Sequence, residues 1–161
     1  MVCGLPGAGK TTVSKQLAGE LGAVRMSPDE WMDALGIDLW DQPARGRVES
    51  LQWAVTRELV ALGITVIVEW GFWTRSERDA LREEIHAAGA LIELRFLDVP
   101  VDELWRRLEP RNAEPGQPVI GRHHLREWAE LFEAPTAQEL ALFDPPLSAS
   151  EPPPPSARRC V

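Results

Sequence analysis

The side chains with the clearest chemistry lie near the start of the chain, where two glycines bracket four residues before Lys and Thr. The segment reads Gly4-Leu5-Pro6-Gly7-Ala8-Gly9-Lys10-Thr11. This spacing is typical of a phosphate-binding loop, because glycines let backbone N–H groups turn inward around a polyphosphate. The Lys10 ammonium can reach the β- and γ-phosphates, and the Thr11 hydroxyl can bind Mg²⁺. The predicted nucleotide-binding residues are Gly4, Pro6, Gly7, Ala8, Gly9, Lys10, Thr11 and Thr12.

Two carboxylates follow predicted strands and are candidates for catalysis and metal binding. Asp29 follows the second predicted strand, where a carboxylate can orient an acceptor hydroxyl and accept its proton. It is equally a favourable acidic residue for the first turn of a helix. Glu69 follows the most apolar strand, where nucleotide-binding enzymes hold Mg²⁺. A structural salt bridge from Glu69 to Arg75 or Arg78 is the alternative, and we predict Thr11 and Glu69 as the metal-binding residues.

Arginines after the fourth predicted strand are placed to close over a nucleotide. Arg107 and Arg111 lie four residues apart at the start of a polar segment that contains Pro and Gly. Such a segment can act as a lid that neutralises charge in the transition state and excludes water. We predict a lid over about residues 107–122 and interpret Arg106 as part of a solvated helix face. The predicted catalytic residues are Lys10, Asp29, Arg107 and Arg111.

The seven tryptophans divide into two groups. Those on amphipathic helices, Trp53, Trp105 and Trp128, are interpreted as core residues. The others lie in the two segments expected to face an acceptor, where aromatic rings can stack on a sugar or a planar ring. Rings in these places can equally pack helices together. The predicted substrate-binding tryptophans are Trp31, Trp40, Trp70 and Trp73.

Strands that alternate with helices are needed to position these residues. The predicted strands cover residues 1–3, 23–26, 65–69 and 91–97. The predicted helices cover residues 9–21, 44–62, 76–88, 101–108 and 122–132, with another beginning at Pro28. Alternation of this kind indicates a parallel α/β sheet, and ligands bind such sheets beyond the carboxyl ends of the strands. Residues 140–143 are a candidate last edge strand or the continuation of a helix from Thr136.

Composition limits the classes of function. The chain has 161 residues, which favours one domain, and a net charge of −8 without a basic stripe makes a nucleic-acid partner unlikely. No apolar run reaches the length of a membrane span, so we predict no membrane partner. Two cysteines indicate no disulfide framework and fit a reducing cytoplasm. Residues 145–161 are rich in Pro and Ser and are predicted to form a disordered tail.

Several motifs in order carry a family resemblance over residues 1–144. They are the loop Gly4–Thr12, Ser27-Pro28-Asp29, Val66–Glu69 followed by Thr74–Arg78, Leu97–Pro100, Arg107 with Arg111-Asn112, and the closing segment Phe132–Pro135 with Glu139-Leu140. With them the chain resembles the small P-loop kinases of the zeta-toxin, chloramphenicol phosphotransferase and polynucleotide kinase group, AAA-type ATP-binding proteins. Three features depart from that group: Glu69 stands for the usual Asp, the segment 70–73 is aromatic where small polar residues are more usual, and the first strand is short.

The resemblance implies a fold, a donor and site residues. The expected fold is a three-layer P-loop NTPase of the nucleotide-kinase type, α/β, with sheet order 2-3-1-4-5 and a lid after strand four. The expected cofactors are ATP and Mg²⁺, and residues 1–144 form the kinase domain. Asp29 is implied as the base, Arg107 and Arg111 as lid arginines, and Arg75 or Arg78 as a substrate-binding arginine on the acceptor side.

Together these features predict a kinase that moves the γ-phosphate of ATP to a hydroxyl of a small molecule. An antibiotic, a sugar or a nucleoside is the candidate acceptor, and the oligomeric state stays open. The alternatives are a 5′-hydroxyl polynucleotide kinase, a regulatory module that binds or hydrolyses ATP, and a zeta-type toxin. The aromatic segment 70–73 counts against a polynucleotide, because that acceptor also carries phosphates to be neutralised.

Overall fold

The computed structural model describes residues 1–114 and 118–146. The predicted lid lies partly outside the described residues, and so does nearly all of the predicted tail. In chain order the elements are β1 (Val2–Cys3), α1 (Lys10–Leu21), β2 (Val24–Met26), α2 (Pro28–Ala34), α3 (Gln42–Ala61), β3 (Val66–Val68), α4 (Arg75–Ala87), β4 (Arg95–Phe96), α5 (Val101–Arg111), α6 (Arg122–Leu131) and α7 (Ala137–Leu140). Among the described helices, none combines the length and the apolar character that crossing a bilayer requires.

The strands form two parallel pairs, which confirms the predicted α/β class. β1 pairs with β4 and β2 pairs with β3. Both neighbour relations belong to the predicted order 2-3-1-4-5, but β3 and β1 share no ladder within the described residues, and the full order stays a prediction. β4 is shorter than predicted, because its partner β1 offers only Val2 and Cys3 for pairing.

Of the two alternatives for residues 140–143, the edge strand is wrong, and the helix from Thr136 is confirmed as far as Leu140. Residues 137–140 are helical, and residues 141–143 form the turns that follow. The Thr136 hydroxyl accepts a hydrogen bond from the Glu139 backbone N–H at 3.1 Å, which caps the first turn of α7. Thr followed three residues later by Glu is a helix-start pattern, so local capping favours helix over an edge strand here.

Three apolar clusters hold the layers together. The first lies between strands and α4 and contains Cys3, Met26, Val68, Trp70, Phe72, Ile85, Ile92, Leu94 and Phe143. The second packs α5 and α6 beneath the phosphate loop and contains Ala8, Leu104, Leu108, Ile120 and Leu125. In the third, Leu17 of α1 contacts Val2 of β1 and Ile67 of β3, which ties the two strand pairs together through one helix.

Candidate active site

The phosphate loop connects β1 to α1 and depends on backbone conformations that glycine supplies. Gly7 has φ +85°, and a Cβ at this position would lie 3.0 Å from the Leu108 side chain. Gly9 has φ +97° and begins α1 without a side-chain cap, so the first N–H groups of the helix remain available to an anion. Lys10 Nζ donates to the Gly4 carbonyl oxygen at 2.7 Å. The loop therefore has the conformation and the donors of a phosphate site.

Glu69 is the buried carboxylate of the site and has two different oxygens. Its side chain is 3% exposed. Oε1 accepts from Arg25 Nη1 at 2.7 Å and from the Thr11 hydroxyl at 3.4 Å. Oε2 is buried without a hydrogen-bond partner in the described structure. A buried carboxylate oxygen is costly when unpaired, so this oxygen marks a place for a cation or a bound donor.

The residues fit Mg²⁺ when a polyphosphate shares its coordination. Thr11 and Glu69 supply a hydroxyl and an unpaired carboxylate oxygen, the hard oxygen donors that Mg²⁺ prefers. The described residues contain no group of three His, Cys, Asp or Glu side chains that could hold a metal by themselves. Mg²⁺ in nucleotide sites usually keeps several waters and binds one or two carboxylates together with substrate phosphates, which matches this set of ligands.

Lys10 links the two candidate carboxylates electrostatically. Burial lowers the pKa of Lys10, while the neighbouring charges of Asp29 and Glu69 act in the opposite direction. The positive charge of Arg111 also reaches Lys10 and lowers its pKa further. Residues from the phosphate loop, α2, β3 and the end of α5 thus share one electrostatic environment.

Asp29 lies in the first turn of α2, after Pro28 at the first helical position. Its side chain is 63% exposed, and Oδ1 accepts from Arg45 Nη2 at 2.5 Å. Arg45 belongs to the first turn of α3 and also lies 3.7 Å from Glu49. Arg45 therefore orients a carboxylate that stays open to a substrate, and sequence reasoning did not identify it.

Arg107 reaches from α5 to the phosphate loop. Its Nε donates to Glu103 Oε1 at 2.7 Å, and its Nη1 lies 3.5 Å from the Ala8 carbonyl oxygen. Hydrogen bonds from Arg106 and then Arg107 lower the pKa of Glu103 to about 2, so Glu103 is ionised at neutral pH. Arg106 is exposed and paired with Glu103, as expected for a solvated face.

Asn112 closes the base of the predicted lid. Its side-chain amide donates to the Ile120 carbonyl at 2.8 Å and accepts from the Ile120 N–H at 3.1 Å. Residues 115–117 in between lie outside the described residues. This reciprocal pair holds the two ends of the segment together, next to Arg111 at the end of α5.

Two predicted substrate-binding residues are core residues instead. Trp70 is 7% exposed, and its indole N–H donates to Gln52 Oε1 at 3.1 Å. Arg78 is fully buried and donates to both carboxylate oxygens of Glu139, at 2.6 and 3.0 Å. Burial works against its charge, but the hydrogen bonds that Arg78 donates to Glu139 raise the pKa of Arg78 overall. Neither side chain is available to a substrate.

The other predicted acceptor residues occupy different surroundings. Arg75 is half-exposed and pairs with Asp79 at 3.3 Å. Trp31 is partly buried against the first core cluster. Trp40 is 44% exposed and lies against Trp128, with ring centroids 6.0 Å apart. Trp73 also lies against Trp128, at 6.3 Å, so Trp40 and Trp73 both contact α6, and Trp31, Trp40 and Trp73 stay predicted substrate-binding residues.

A family model described as an AAA domain matches residues 1–135. The chain belongs to this AAA-domain family. The predicted relationship to the small P-loop kinases is confirmed by this match together with the likeness to a solved gluconokinase structure. No curated protein sequence matches the chain.

Three solved structures illustrate the likeness of this AAA-domain chain. A gluconokinase from Sinorhizobium meliloti 1021 is 26% identical, with a TM-score of 0.57 and coverage of 85% of this chain and 75% of that one. A chain of the Pnkp1/Rnl/Hen1 RNA repair complex is 23% identical, with a TM-score of 0.66 and coverage of 89% and 45%. A sugar kinase from Janibacter sp. HTCC2649 is 22% identical, with a TM-score of 0.56 and coverage of 86% and 79%. The last two similarities concern the fold alone.

Proposed function

We propose that the protein transfers the γ-phosphate of ATP to a hydroxyl group of a small molecule. The observation that carries the proposal is the joint environment of Lys10, Asp29 and Glu69, in which a phosphate loop, an open carboxylate and a buried unpaired carboxylate oxygen meet. The likeness to a gluconokinase at 26% identity supports phosphoryl transfer to an alcohol.

Each group has a role that follows from its chemistry. The loop N–H groups and Lys10 bind the phosphates of ATP, and Thr11 and Glu69 hold Mg²⁺. Bound Mg²⁺ supplies charge neutralisation at the phosphate oxygens. Asp29, oriented by Arg45, accepts the proton of the acceptor hydroxyl as its oxygen bonds to the γ-phosphorus and the bond to ADP breaks. Arg107 and Arg111 stabilise the charge of the transferring group.

A second candidate is a 5′-hydroxyl polynucleotide kinase. The structural likeness to the RNA repair complex favours it, although that likeness concerns the fold alone. The buried Arg78 and the paired Arg75 count against it, because an acceptor with phosphates needs free cations nearby.

A label-transfer screen tests the proposal. The protein is incubated with γ-labelled ATP, Mg²⁺ and a panel of sugars, sugar acids, nucleosides, hydroxyl-bearing antibiotics and a 5′-hydroxyl oligonucleotide. We expect label in one small-molecule class and none with Lys10→Met. Label that passes only to water would contradict the kinase proposal and favour an ATP-hydrolysing module, whereas labelled oligonucleotide would favour the second candidate.

Replacement of Arg25 tests the assignment of Glu69 as a metal residue. We expect Arg25→Met to destabilise the unliganded protein by about 2–3 kcal/mol, because Glu69 is left buried without its cation. Mg²⁺ with ADP should recover more stability in the variant than in the parent protein, since the metal then takes the place of the lost charge. Urea unfolding with and without Mg·ADP measures both effects.

The exposed pair between Arg57 and Glu84 provides a matched control. Arg57 is 54% exposed, so Arg57→Met should change stability by at most about 1 kcal/mol and leave the response to Mg·ADP unchanged. Equal responses of the Arg25 variant and the parent protein to Mg·ADP would count against metal binding at Glu69.

A further inference from the structure

Four aromatic side chains from three separate segments meet beside the candidate site. We call them the aromatic surface: Trp40 before α3, Trp73 after β3, and His124 and Trp128 on α6. The ring of Trp40 lies 6.3 Å from that of His124, which stacks on Trp128 at 5.9 Å. Trp73 meets Trp128 edge to face. Since the three segments are far apart in the sequence, the fold is what brings these rings into contact.

Each part of the aromatic surface is connected to a different part of the candidate site. Trp40 lies five residues before Arg45, which holds Asp29. Trp73 lies four residues after Glu69, beyond the carboxyl end of β3. Trp128 packs against the cluster that contains Ala8 of the phosphate loop. The surface is therefore tied to the candidate base through α3, whose first turn carries Arg45, and to the phosphate loop through the second cluster.

The exposure of Trp40 is the property of the aromatic surface that points to a ligand. Trp40 is 44% exposed, whereas Trp70 is almost completely buried, so part of the Trp40 indole remains in water although the ring also packs against Trp128. A molecule with a planar face would cover the exposed part of the Trp40 ring.

The charged groups next to Trp40 and Trp73 argue against an anion. The acceptor-side arginines are engaged, because Arg78 is paired with Glu139 in the core and Arg75 is paired with Asp79. Carboxylates precede and follow Trp40 in the chain: Asp38 Oδ1 accepts from the backbone N–H of Trp40 at 3.0 Å, and Asp41 caps α3. A carboxylate or phosphate group on the acceptor would meet like charges here.

We infer that the acceptor is an uncharged, hydroxyl-bearing molecule with a planar aromatic ring, and that the ring lies against Trp40. This inference rests on the proposed kinase function and specifies its substrate class. It separates the protein from kinases that act on sugar acids, which must balance a negative charge on the acceptor.

The experiment compares acceptors that share hydroxyls and differ in ring and charge. The probes are phenyl β-glucoside, methyl β-glucoside, adenosine and gluconate, each tested for label transfer from γ-labelled ATP and for binding by calorimetry in the presence of Mg·ADP. We expect phenyl β-glucoside or adenosine to bind at least tenfold more tightly than methyl β-glucoside and gluconate. Tighter binding of gluconate or of the ring-free glucoside would overturn the inference and leave the kinase proposal intact.

Variants of Trp40 test whether this side chain is the source of the tighter binding of ring-bearing acceptors. Trp40→Ala should raise KM for the ring-bearing acceptor by about 10- to 100-fold, the size of a stacking contact, with KM for ATP unchanged. Trp40→Phe should restore most of the loss. Leu131→Ala, an exposed apolar change on α6 outside the surface, is the matched control. A KM for the ring-bearing acceptor that stays within twofold in Trp40→Ala would also overturn the inference. If label passes only to water, the kinase proposal fails, and the calorimetry still decides which acceptor class binds.

Discussion

Asp29→Asn is expected to lower the rate of phosphoryl transfer by about 10²- to 10⁴-fold while ATP binding is nearly normal. The amide keeps the size of the side chain and can still accept from Arg45 through its oxygen, but it cannot take the acceptor proton. Steady-state transfer of label measures the loss, and calorimetric titration with ATP and Mg²⁺ measures binding.

Asp33→Asn provides the matched control for Asp29→Asn. Asp33 is also an exposed carboxylate on α2 but lies nearer the end of the helix, so its replacement should leave transfer unchanged. Equal transfer by the Asp29 variant and the parent protein would contradict the assignment of Asp29 as base. A loss of ATP binding as large as the loss of transfer would also contradict it, because Asp29 would then serve the donor.

Arg78→Met is expected to destabilise the protein by about 3–5 kcal/mol, because it leaves the carboxylate of Glu139 buried and unpaired. Arg78 also donates to the Phe72 carbonyl oxygen at 2.8 Å, and that bond is lost as well. This is a large part of the stability of a typical domain. Urea unfolding followed by tryptophan fluorescence measures the change.

Two further variants test whether loss of the Arg78–Glu139 ion pair causes the loss of stability in Arg78→Met. Arg75→Met removes an exposed arginine from the same helix and should cost at most about 1 kcal/mol. The double variant Arg78→Met with Glu139→Leu removes both buried charges and should recover much of the lost stability. If the double variant were less stable than Arg78→Met alone, the unpaired charge would not be the source of the loss.

The elements that could be predicted from sequence are those governed by local chemistry. The caps at Gly9, Asp41 and Thr74 place the starts of three helices within a few residues of the prediction. The edges of the sheet could not be read locally, because strand length depends on the partner. Residues 91–97 are apolar enough for a long strand, yet only Arg95 and Phe96 face β1.

In the candidate site, too, the local parts could be predicted from the sequence and the long-range contacts could not. The phosphate loop is contiguous, so its role is visible in eight consecutive residues. Arg25 lies 44 residues from Glu69 and Arg45 lies 16 from Asp29, so no local spacing connects them. One signal was present: Arg25 is a charged residue in the middle of a strand, where a buried parallel sheet favours apolar residues.

The segment after β3 shows why the role of a tryptophan could not be read from its position. In a regular strand, side chains alternate between faces, so Trp70 and Phe72 would share one side. Here Phe72 has φ +47°, a left-handed conformation that ends the alternation. Although the backbone is no longer a regular strand, Trp70 and Phe72 stack in the core with ring centroids 5.5 Å apart. The next ring, Trp73, lies against Trp128 of α6 instead. Only the three-dimensional packing separates the core rings from those of the aromatic surface.

The buried pair of Arg78 and Glu139 has a consequence for the order of events during translation. The two residues are 61 positions apart, and Glu139 lies near the end of the described chain. While the ribosome is still making the intervening residues, the guanidinium of Arg78 has no carboxylate to enter the core with. The phosphate loop and Glu69 are synthesised much earlier, but the first core cluster can close around Arg78 only after Glu139 has emerged. Folding of the first core cluster is therefore expected to finish late, after most of the described residues have been synthesised.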